Sequence, residues 1–182
     1  MIIAITGTPG TGKTSVAKKL FIDGYNIIDL KKIAFENNFL LGTDKKRKTE
    51  IIDIKKLDRF ILKNYMKKEI FFAEGHISHL LKSIDKIILL RRNPEKLRKN
   101  LENRDWNKEK INENIESEIL DIILCEAVEI QKSENIFEID TTDKTINDVV
   151  SIIKDLLKKE FKNIKKYKIG KIDWSEDILK DF

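Results

Sequence analysis

Residues 7–14 have the composition and spacing of a phosphate-binding loop. Gly7 and Gly12 enclose four residues, and Lys13 and Thr14 follow directly. Glycines let the backbone fold into a nest of N–H groups around phosphates, to which a following helix adds the positive end of its dipole. Lys13 would reach the β- and γ-phosphates, and the Thr14 hydroxyl would bind Mg²⁺. The segment therefore predicts a site for ATP with Mg²⁺ as cofactor, formed by Gly7, Pro9, Gly10, Thr11, Gly12, Lys13, Thr14 and Ser15.

A glycine-rich turn without a ligand is the alternative for this segment. Three of the seven glycines in the chain lie within residues 7–12. They stand between an apolar run and a helical pattern, which is the strand-to-helix turn that phosphate loops occupy. This placement favours the phosphate-binding interpretation.

Short apolar runs alternate with helical patterns along most of the chain. Such alternation is typical of a parallel sheet with helices on both faces, and runs rich in Ile or Phe suit its buried strands. Five strands are predicted, at residues 2–6, 25–28, 70–73, 86–90 and 136–139. Apolar spacing predicts helices around residues 54–61 and 146–161 and one long helix over 109–131, and Asn93-Pro94 is expected to open a further helix. The sequence therefore predicts a three-layer α/β fold.

Polar residues follow the third predicted strand, at the sheet edge where parallel-sheet proteins bind ligands. Glu74, Gly75 and His76 occupy this position. We expect Glu74 to hold Mg²⁺ through a water, because its side chain is one methylene longer than the usual Asp, and an ordinary exposed acid is the alternative. His76 either orients a water at the transferring phosphate or caps the next helix, and the sequence leaves both open. We expect His79 to be structural.

Arginines after the fourth predicted strand are candidates for contacts to a transferring phosphoryl group. Arg91 and Arg92 follow that strand, and Arg104 lies in a polar hinge between two helical patterns. A guanidinium binds phosphate oxygens bidentately, and a small lid that closes over them excludes water. A solvated surface arginine is the alternative for Arg104, and the phosphate loop is what favours the catalytic role. Thr141, within residues 140–143, either lines the purine face of a nucleotide or belongs to the cap of the last helix.

Length and composition narrow the class of protein. With 182 residues, 41% of them apolar and 37% charged, the chain suits one globular domain with a core of its own. Cys125 is the single cysteine, which excludes an intramolecular disulfide and a cysteine zinc site, and we expect it to be buried packing. No apolar run approaches the roughly 18 residues of a membrane span, and no basic leader precedes the first strand. We therefore expect a cytoplasmic protein without membrane contacts.

The net charge of +5 is concentrated in two lysine-rich runs. Residues 45–48 and the lysines between 158 and 171 could meet phosphates or RNA, although such runs are more often solvated surface. The helical periodicity fades after Phe161, so we expect a domain over residues 1–162 and a basic C-terminal appendage over 163–182. Docking of the appendage on a partner and folding back with Trp174 packed on the domain both remain open.

Several segments resemble the adenylate kinase isoenzyme six family, the nuclear or coilin-interacting type found in eukaryotes and archaea. They are TGTPGTGKTS at 6–15, EGH at 74–76, LLRRNPEKLRKNLENRDWNKEKINENIESEI at 89–119, and DTT at 140–142. The resemblance implies a P-loop kinase fold with a lid at about 103–110 and an acceptor-binding region at about 29–60. It also implies an ATP:AMP phosphotransferase with weak ATPase activity. A role in small ribosomal subunit maturation is implied as well, through a ribosomal protein partner and contact with rRNA.

The resemblance assigns roles to individual residues. Lys13 and Thr14 match the family's phosphate loop, and Arg104 matches its lid arginine. Asn114 and Glu118 match an Asn-x-x-x-Glu helix that follows the lid. The implied catalytic residues are Lys13, Glu74, His76 and Arg104, the implied acceptor-binding residues are Asp29, Lys32, Gly75 and His76, and Thr14 and Glu74 are the implied metal ligands.

The chain departs from the family pattern at four positions. Glu74 replaces aspartate, Trp106 replaces tyrosine, Asn100 stands where a second lid arginine is frequent, and Lys32 stands where an arginine would meet the AMP phosphate. A lysine cannot hold a phosphate bidentately. These departures concern the efficiency of phosphoryl transfer more than nucleotide binding.

Two other functions remain open from the sequence. The chain could serve chiefly as an assembly factor whose ATP state gates partner binding, with incidental kinase turnover. It could instead phosphorylate another small metabolite, because residues 29–58 carry no motif that identifies an acceptor.

Overall fold

The computed structural model describes residues 1–44, 49–65, 69–104 and 106–178. Within them the strands are β1 (Ile2–Thr6), β2 (Asn26–Asp29), β3 (Leu40–Asp44), β4 (Thr49–Ile52), β5 (Phe71–Glu74), β6 (Lys86–Arg91) and β7 (Ile136–Asp140). The helices are α1 (Lys13–Ile22), α2 (Leu30–Glu36), α3 (Ile54–Asn64), α4 (Pro94–Glu102), α5 (Lys108–Ile119), α6 (Ile122–Ile130), α7 (Ile146–Lys158) and α8 (Ser175–Ile178). The basic run at 45–48 lies outside the described residues.

The main sheet confirms the five predicted strands and their parallel arrangement. Its order is β2-β5-β1-β6-β7, and every neighbouring pair is parallel. β1 lies in the centre and all five of its residues are buried, as expected for a strand covered on both faces. In the pairing of β1 with β5, Ile5 stands opposite Glu74. The carboxyl end of β5 therefore lies beside the start of the phosphate loop.

Helices cover both faces of this sheet, as predicted. One face buries Val16 and Leu20 of α1 with Val149 and Ile153 of α7. The other face buries side chains of α2, α3 and α6. They include Leu30, Ile33, Leu57, Ile61 and Ala127. The result is the three-layer α/β arrangement of a P-loop kinase fold.

The antiparallel hairpin of β3 and β4 was not predicted. Its residues are mostly exposed and it forms a two-stranded sheet of its own. Because neither strand buries one face fully, the sequence carries no clear apolar alternation there. The hairpin lies within the region at 29–60 expected to bind the acceptor.

The single long helix predicted over 109–131 is wrong. The chain turns between α5 and α6 at Asp121, whose φ of 54° is left-handed. The turn changes the direction in which the following side chains point, so Ile122 is exposed although the apolar spacing placed it on the buried stripe. Cys125 is also exposed, which corrects the expectation of buried packing.

The described part of the C-terminal segment folds back onto the domain. Ile164 is buried in the core, and Lys168 forms an antiparallel bridge with Phe137 of β7. The Gly170 N–H donates a hydrogen bond to Glu138 Oε2 at 2.8 Å. The ring nitrogen of Trp174 is buried, and α8 packs against α5. These contacts agree with the folding-back alternative for residues 163–178.

No helix within the described ranges combines the length and the apolar character needed to cross a membrane.

Candidate nucleotide-binding site

The phosphate loop joins β1 to α1, and its glycines are required by the backbone. Gly10 and Gly12 have φ of 98° and 102°, in the left-handed region. A Cβ on Gly7 would lie 2.3 Å from the carbonyl oxygen of Leu90, which is closer than atoms can approach. The predicted loop is therefore formed, with Lys13 as the first residue of α1.

Lys13 is bent back over its own loop. Its ammonium group donates hydrogen bonds to the carbonyl oxygens of Gly7 at 2.7 Å and Thr8 at 3.0 Å. Burial lowers the pKa of Lys13 to about 8, although the negative charge of Glu74 opposes this shift. An anion bound in the loop would favour the protonated lysine and raise this pKa.

Thr14 and Glu74 meet at the carboxyl edge of the sheet. The Thr14 hydroxyl donates to Glu74 Oε1 at 3.0 Å. Hard oxygen ligands in small number suit Mg²⁺, which keeps most of its waters and shares its remaining ligands with phosphates. The two residues expected to bind the metal therefore form a donor set that fits it.

A cavity of about 300 Å³ lies beside the loop. Arg104, from the predicted lid, and Ile146 and Val149 of α7 contribute to its lining. Its lining is polar near the loop and apolar at α7, which suits a nucleobase and sugar beside phosphates. The lining residues are Gly10, Thr11, Gly12, Ser15, Val16, Arg92, Asn100, Arg104, Thr141, Lys144, Ile146 and Val149.

Thr141 lies in this cavity and does not cap α7. Its hydroxyl contacts the carbonyl oxygens of Thr11 at 3.2 Å and Arg91 at 2.9 Å. The cap of α7 is Thr145, which forms a capping box with Asp148. Of the two roles left open by the sequence, the structure favours the cavity-lining one.

The predicted lid corresponds to the connection between α4 and α5, two helices that share a small apolar cluster. Leu97 and Leu101 of α4 pack on Ile111 and Ile115 of α5. A Cβ on Gly10 would lie 2.8 Å from Leu97, so α4 touches the phosphate loop closely. Asn93 and Asn107 cap the two helices with their side-chain oxygens, which confirms the predicted start of α4.

Arg104 is exposed at the rim of the cavity. Its guanidinium stacks on Trp106 at 5.3 Å from the ring centre, and Lys110 lies 4.2 Å from the same ring. The charge of Arg104 also lowers the pKa of Lys13, so the two positive groups are close enough to repel each other. Residue 105, within the predicted lid, lies outside the described residues.

The two histidines after β5 have different surroundings. His76 is more exposed than His79, and partial desolvation, followed by the charge of Lys13, lowers its pKa. His79 is buried between the hydroxyl of Thr6 at 2.9 Å and Glu126 Oε2 at 2.9 Å. The structural role expected for His79 agrees with these contacts, whereas His76 is free to meet a ligand.

The residues expected to bind the acceptor lie around the start of α2. Asp29 is the cap of this helix and accepts a hydrogen bond from the Lys32 N–H at 2.9 Å. Such a cap is worth about 1 kcal/mol, so Asp29 has a structural role whether or not it binds a ligand. The Lys32 ammonium is exposed and lies 3.8 Å from Glu36. Gly75 has a φ of 155° and faces Leu30.

Arg91 does not reach the phosphates, which corrects one expectation. It is buried and donates to Glu118 Oε1 at 2.8 Å and Glu138 Oε1 at 2.7 Å. Glu118 in turn accepts from the Thr8 hydroxyl at 2.5 Å. The implied Asn-x-x-x-Glu helix pointed to Glu118 but not to its partners, because β6, α5 and the loop are distant in the chain and meet only in the tertiary structure.

Four more residues line the cavity, and sequence reasoning missed two of them, Lys144 and Ile146. Arg92 lines it and donates to the Thr141 carbonyl oxygen at 3.1 Å, while its Nε is buried without a partner among the described residues. Lys144 and Ile146 line it from the start of α7. Asn100, noted only as a departure, donates to the Gly10 carbonyl oxygen at 3.1 Å. The position of Lys144 shortly after the end of β7 was the available signal for the missed pair.

The fold and this loop define the class of P-loop proteins with a kinase-type sheet. Solved structures agree with that fold. A shikimate kinase from Acinetobacter baumannii has a TM-score of 0.57 at 17% identity, covering 87% of this chain and 93% of that chain. A gluconokinase from Sinorhizobium meliloti has a TM-score of 0.59 at 14% identity, covering 89% and 94%.

Sequence comparison identifies the family. The family model described as "AAA domain" matches residues 3–121. A Thermococcus kodakarensis protein named "Putative adenylate kinase" is 40% identical over 177 residues, covering 97% of this chain and 94% of the relative. A protein of the same name from Archaeoglobus fulgidus is 38% identical over 185 residues, covering 100% and 98%. The chain belongs to this family of archaeal P-loop proteins.

Proposed function

We propose that the protein is an ATP:AMP phosphotransferase of the adenylate kinase isoenzyme six type. The observation that carries this proposal is the contact between Thr14 and Glu74, 3.0 Å from hydroxyl to carboxylate, at the mouth of a complete phosphate loop. The pair would hold Mg²⁺ near the Lys13 ammonium, on which the negative charge of Glu74 acts. The names of the archaeal relatives support AMP as the acceptor.

In the proposed reaction, an oxygen of the AMP phosphate attacks the γ-phosphorus of ATP. The bond from this phosphorus to the β–γ bridging oxygen breaks as the new P–O bond forms, which yields two ADP. Mg²⁺ bound with ATP supplies charge neutralisation at the β- and γ-phosphates. Lys13 holds the β- and γ-oxygens, Arg104 closes from the lid on the charge that shifts in the transition state, and loop N–H groups orient the phosphates.

The acceptor would bind on the opposite side of Glu74, near the start of α2. His76 and Lys32 are exposed there and are able to meet an anion. When water takes the place of AMP, His76 would orient it, which would account for the weak ATPase activity that the resemblance implies.

The acceptor is tested by product analysis with a panel of substrates. ATP with Mg²⁺ is incubated with AMP, with shikimate, with gluconate or with no acceptor, and ADP and free phosphate are measured separately. We expect ADP in excess of free phosphate only with AMP, and Lys13→Met is the inactive control. Phosphorylation of one of the other acceptors without AMP turnover would replace the proposal by a metabolite kinase.

A role in small ribosomal subunit maturation, in the cytoplasm, is the second part of the proposal. Its support is the exposed position of Lys165, Lys166 and Lys168 in the C-terminal segment, a basic surface suited to rRNA phosphates or a ribosomal protein. Binding to small-subunit particles should weaken as salt rises and should be lost in Lys165→Glu/Lys166→Glu. Unchanged binding in this variant would show that the C-terminal segment does not contact the partner. Phosphate release that rises only with the particles would favour the ATP-gated assembly factor.

A further inference from the structure

The phosphate loop is tied to the far end of the lid helix α5 by one buried carboxylate. Glu118 is 2% exposed, and its two oxygens have different partners. Oε2 accepts from the Thr8 hydroxyl at 2.5 Å, while Oε1 accepts from Arg91 Nε at 2.8 Å and from the Arg92 N–H at 3.1 Å. A buried carboxylate with three donors is fully paired, and hydrogen bonds to an ionised group are the strong ones.

Arg91 holds Glu118 in place from the other side. Besides Nε, its guanidinium uses Nη1 for Glu138 at 2.7 Å and Nη2 for the Glu118 carbonyl oxygen at 3.0 Å and for Asp121. Because Arg91 is itself 2% exposed, it has little freedom to move. Arg91 therefore fixes the position of Glu118 independently of the contact between Glu118 and the loop.

Thr8 connects Glu118 to Lys13, because its hydroxyl contacts Glu118 and its carbonyl oxygen contacts Lys13. It is 1% exposed, and its carbonyl oxygen accepts from the Thr11 N–H at 3.2 Å and from Lys13 Nζ at 3.0 Å. Any shift of Thr8 thus moves both the turn of the loop and the resting place of the ammonium group.

We infer that Glu118 is a positioning residue of the phosphate loop, acting through Thr8. It contacts neither the cavity nor the proposed metal ligands, so it holds the loop in the shape that receives phosphates and makes the end of α5 part of the site. The consequence for ATP binding rests on the proposed function, whereas the consequence for loop geometry does not.

The test uses Thr8, because changes at Glu118 would also unpair the buried guanidinium of Arg91. Thr8→Val deletes the hydroxyl at nearly constant shape, and Thr8→Ser keeps it. Thr6→Val is the matched control, since Thr6 is equally buried and two residues away, but its hydroxyl contacts His79. All three variants are compared with wild type by thermal unfolding, by amide exchange and by equilibrium binding of Mg²⁺-ATP.

The decisive measurement is hydrogen exchange at the Thr11 amide without nucleotide. We expect about tenfold faster exchange in Thr8→Val, as follows from losing a hydrogen bond to a charged group, and near wild-type exchange in Thr8→Ser and Thr6→Val. ATP binding should weaken in parallel in Thr8→Val alone. Equal exchange in Thr8→Val and Thr6→Val at matched melting temperatures would overturn the inference. If the wild type bound no ATP, the proposed function would be contradicted. The exchange rates would still test whether Glu118 positions the loop.

Discussion

The Lys13 ammonium group lies 2.7 Å from the carbonyl oxygen of Gly7, inside the loop that it is expected to serve. Without a ligand, the lysine side chain is held against the loop backbone by hydrogen bonds to the carbonyl oxygens of Gly7 and Thr8. Phosphates that enter the loop offer it stronger, charged partners. This exchange of partners determines what the loss or the titration of Lys13 should do.

Replacing Lys13 by methionine should abolish turnover with little loss of stability. The ammonium acts on phosphates, and its removal also ends the cost of burying a charge, which offsets the two lost hydrogen bonds. ADP formation and thermal unfolding measure the two effects. Near wild-type activity in Lys13→Met would contradict the assignment of the site.

ATP affinity should fall as pH rises through about 8, the pKa of Lys13. Bound phosphates favour the charged lysine, so binding at about pH 9 should take up close to one proton, and binding at about pH 7 almost none. Calorimetry in buffers of different ionisation enthalpy measures this uptake. Lys13→Arg is the control, because a guanidinium stays protonated throughout. The same uptake in Lys13→Arg would assign the proton to another group.

The same titration affects stability in the opposite direction. The unfolded chain keeps Lys13 at its ordinary pKa of 10.5, so between about pH 8 and that value it binds more protons than the folded chain. The contribution of Lys13 to the free energy of unfolding should therefore rise with pH across this window, and the burial cost is fully present below it. Denaturant unfolding of wild type and Lys13→Met at several pH values measures this effect, and the free energy of unfolding of wild type minus that of Lys13→Met should rise with pH between about 8 and 10.5.

Glu74→Gln should weaken Mg²⁺-dependent turnover and leave Mg²⁺-free nucleotide binding largely intact. The amide still accepts the Thr14 hydrogen bond and binds water but lacks the negative charge that attracts the ion. The Mg²⁺ concentration for half-maximal activity is the measurement. Glu74→Asp keeps the charge and is expected to retain activity. An unchanged Mg²⁺ requirement in Glu74→Gln would show that Glu74 is an ordinary exposed acid that does not help to bind the metal.

Arg104→Lys should lower kcat more than it raises KM for ATP. A bidentate guanidinium contact is needed mainly as charge shifts in the transition state. Arg98→Lys on α4 is the control, since Arg98 donates to Asn112 at 2.7 Å and does not line the cavity. A rise in KM at constant kcat would assign Arg104 to ground-state binding.

Deleting residues 163–182 should lower the melting temperature by about 5–10 °C. The deletion removes the buried Ile164 side chain and the hydrogen bond from Gly170 to Glu138, and it uncovers the edge of β7. Lys165→Gln/Lys166→Gln, which changes only exposed charges of the same segment, should leave the melting temperature unchanged. An unchanged melting temperature in the deletion variant, together with lost binding to small-subunit particles, would make the segment a docking element.

The sequence by itself determined the parts that depend on local rules. The loop from Gly7 to Thr14 was readable because the glycine positions and the lysine spacing are set by backbone conformation and phosphate geometry. The five strands of the main sheet were readable because fully buried parallel strands are short continuous apolar runs. The placement of Glu74 beside the loop followed from the same reasoning, since parallel strands end at one edge.

Only the tertiary structure decided where long-range partners meet. Arg91 looked like a phosphate contact and is buried against Glu118, because the packing of α5 brings a carboxylate to the end of β6. Cys125 looked buried and is exposed, because Asp121 turns the chain and changes the direction of α6. The spacing of apolar residues in the sequence reveals neither the register between distant elements nor a single residue with left-handed backbone. These features depend on the whole sheet, and the coupling of Thr8 to Glu118 across 110 residues belongs with them.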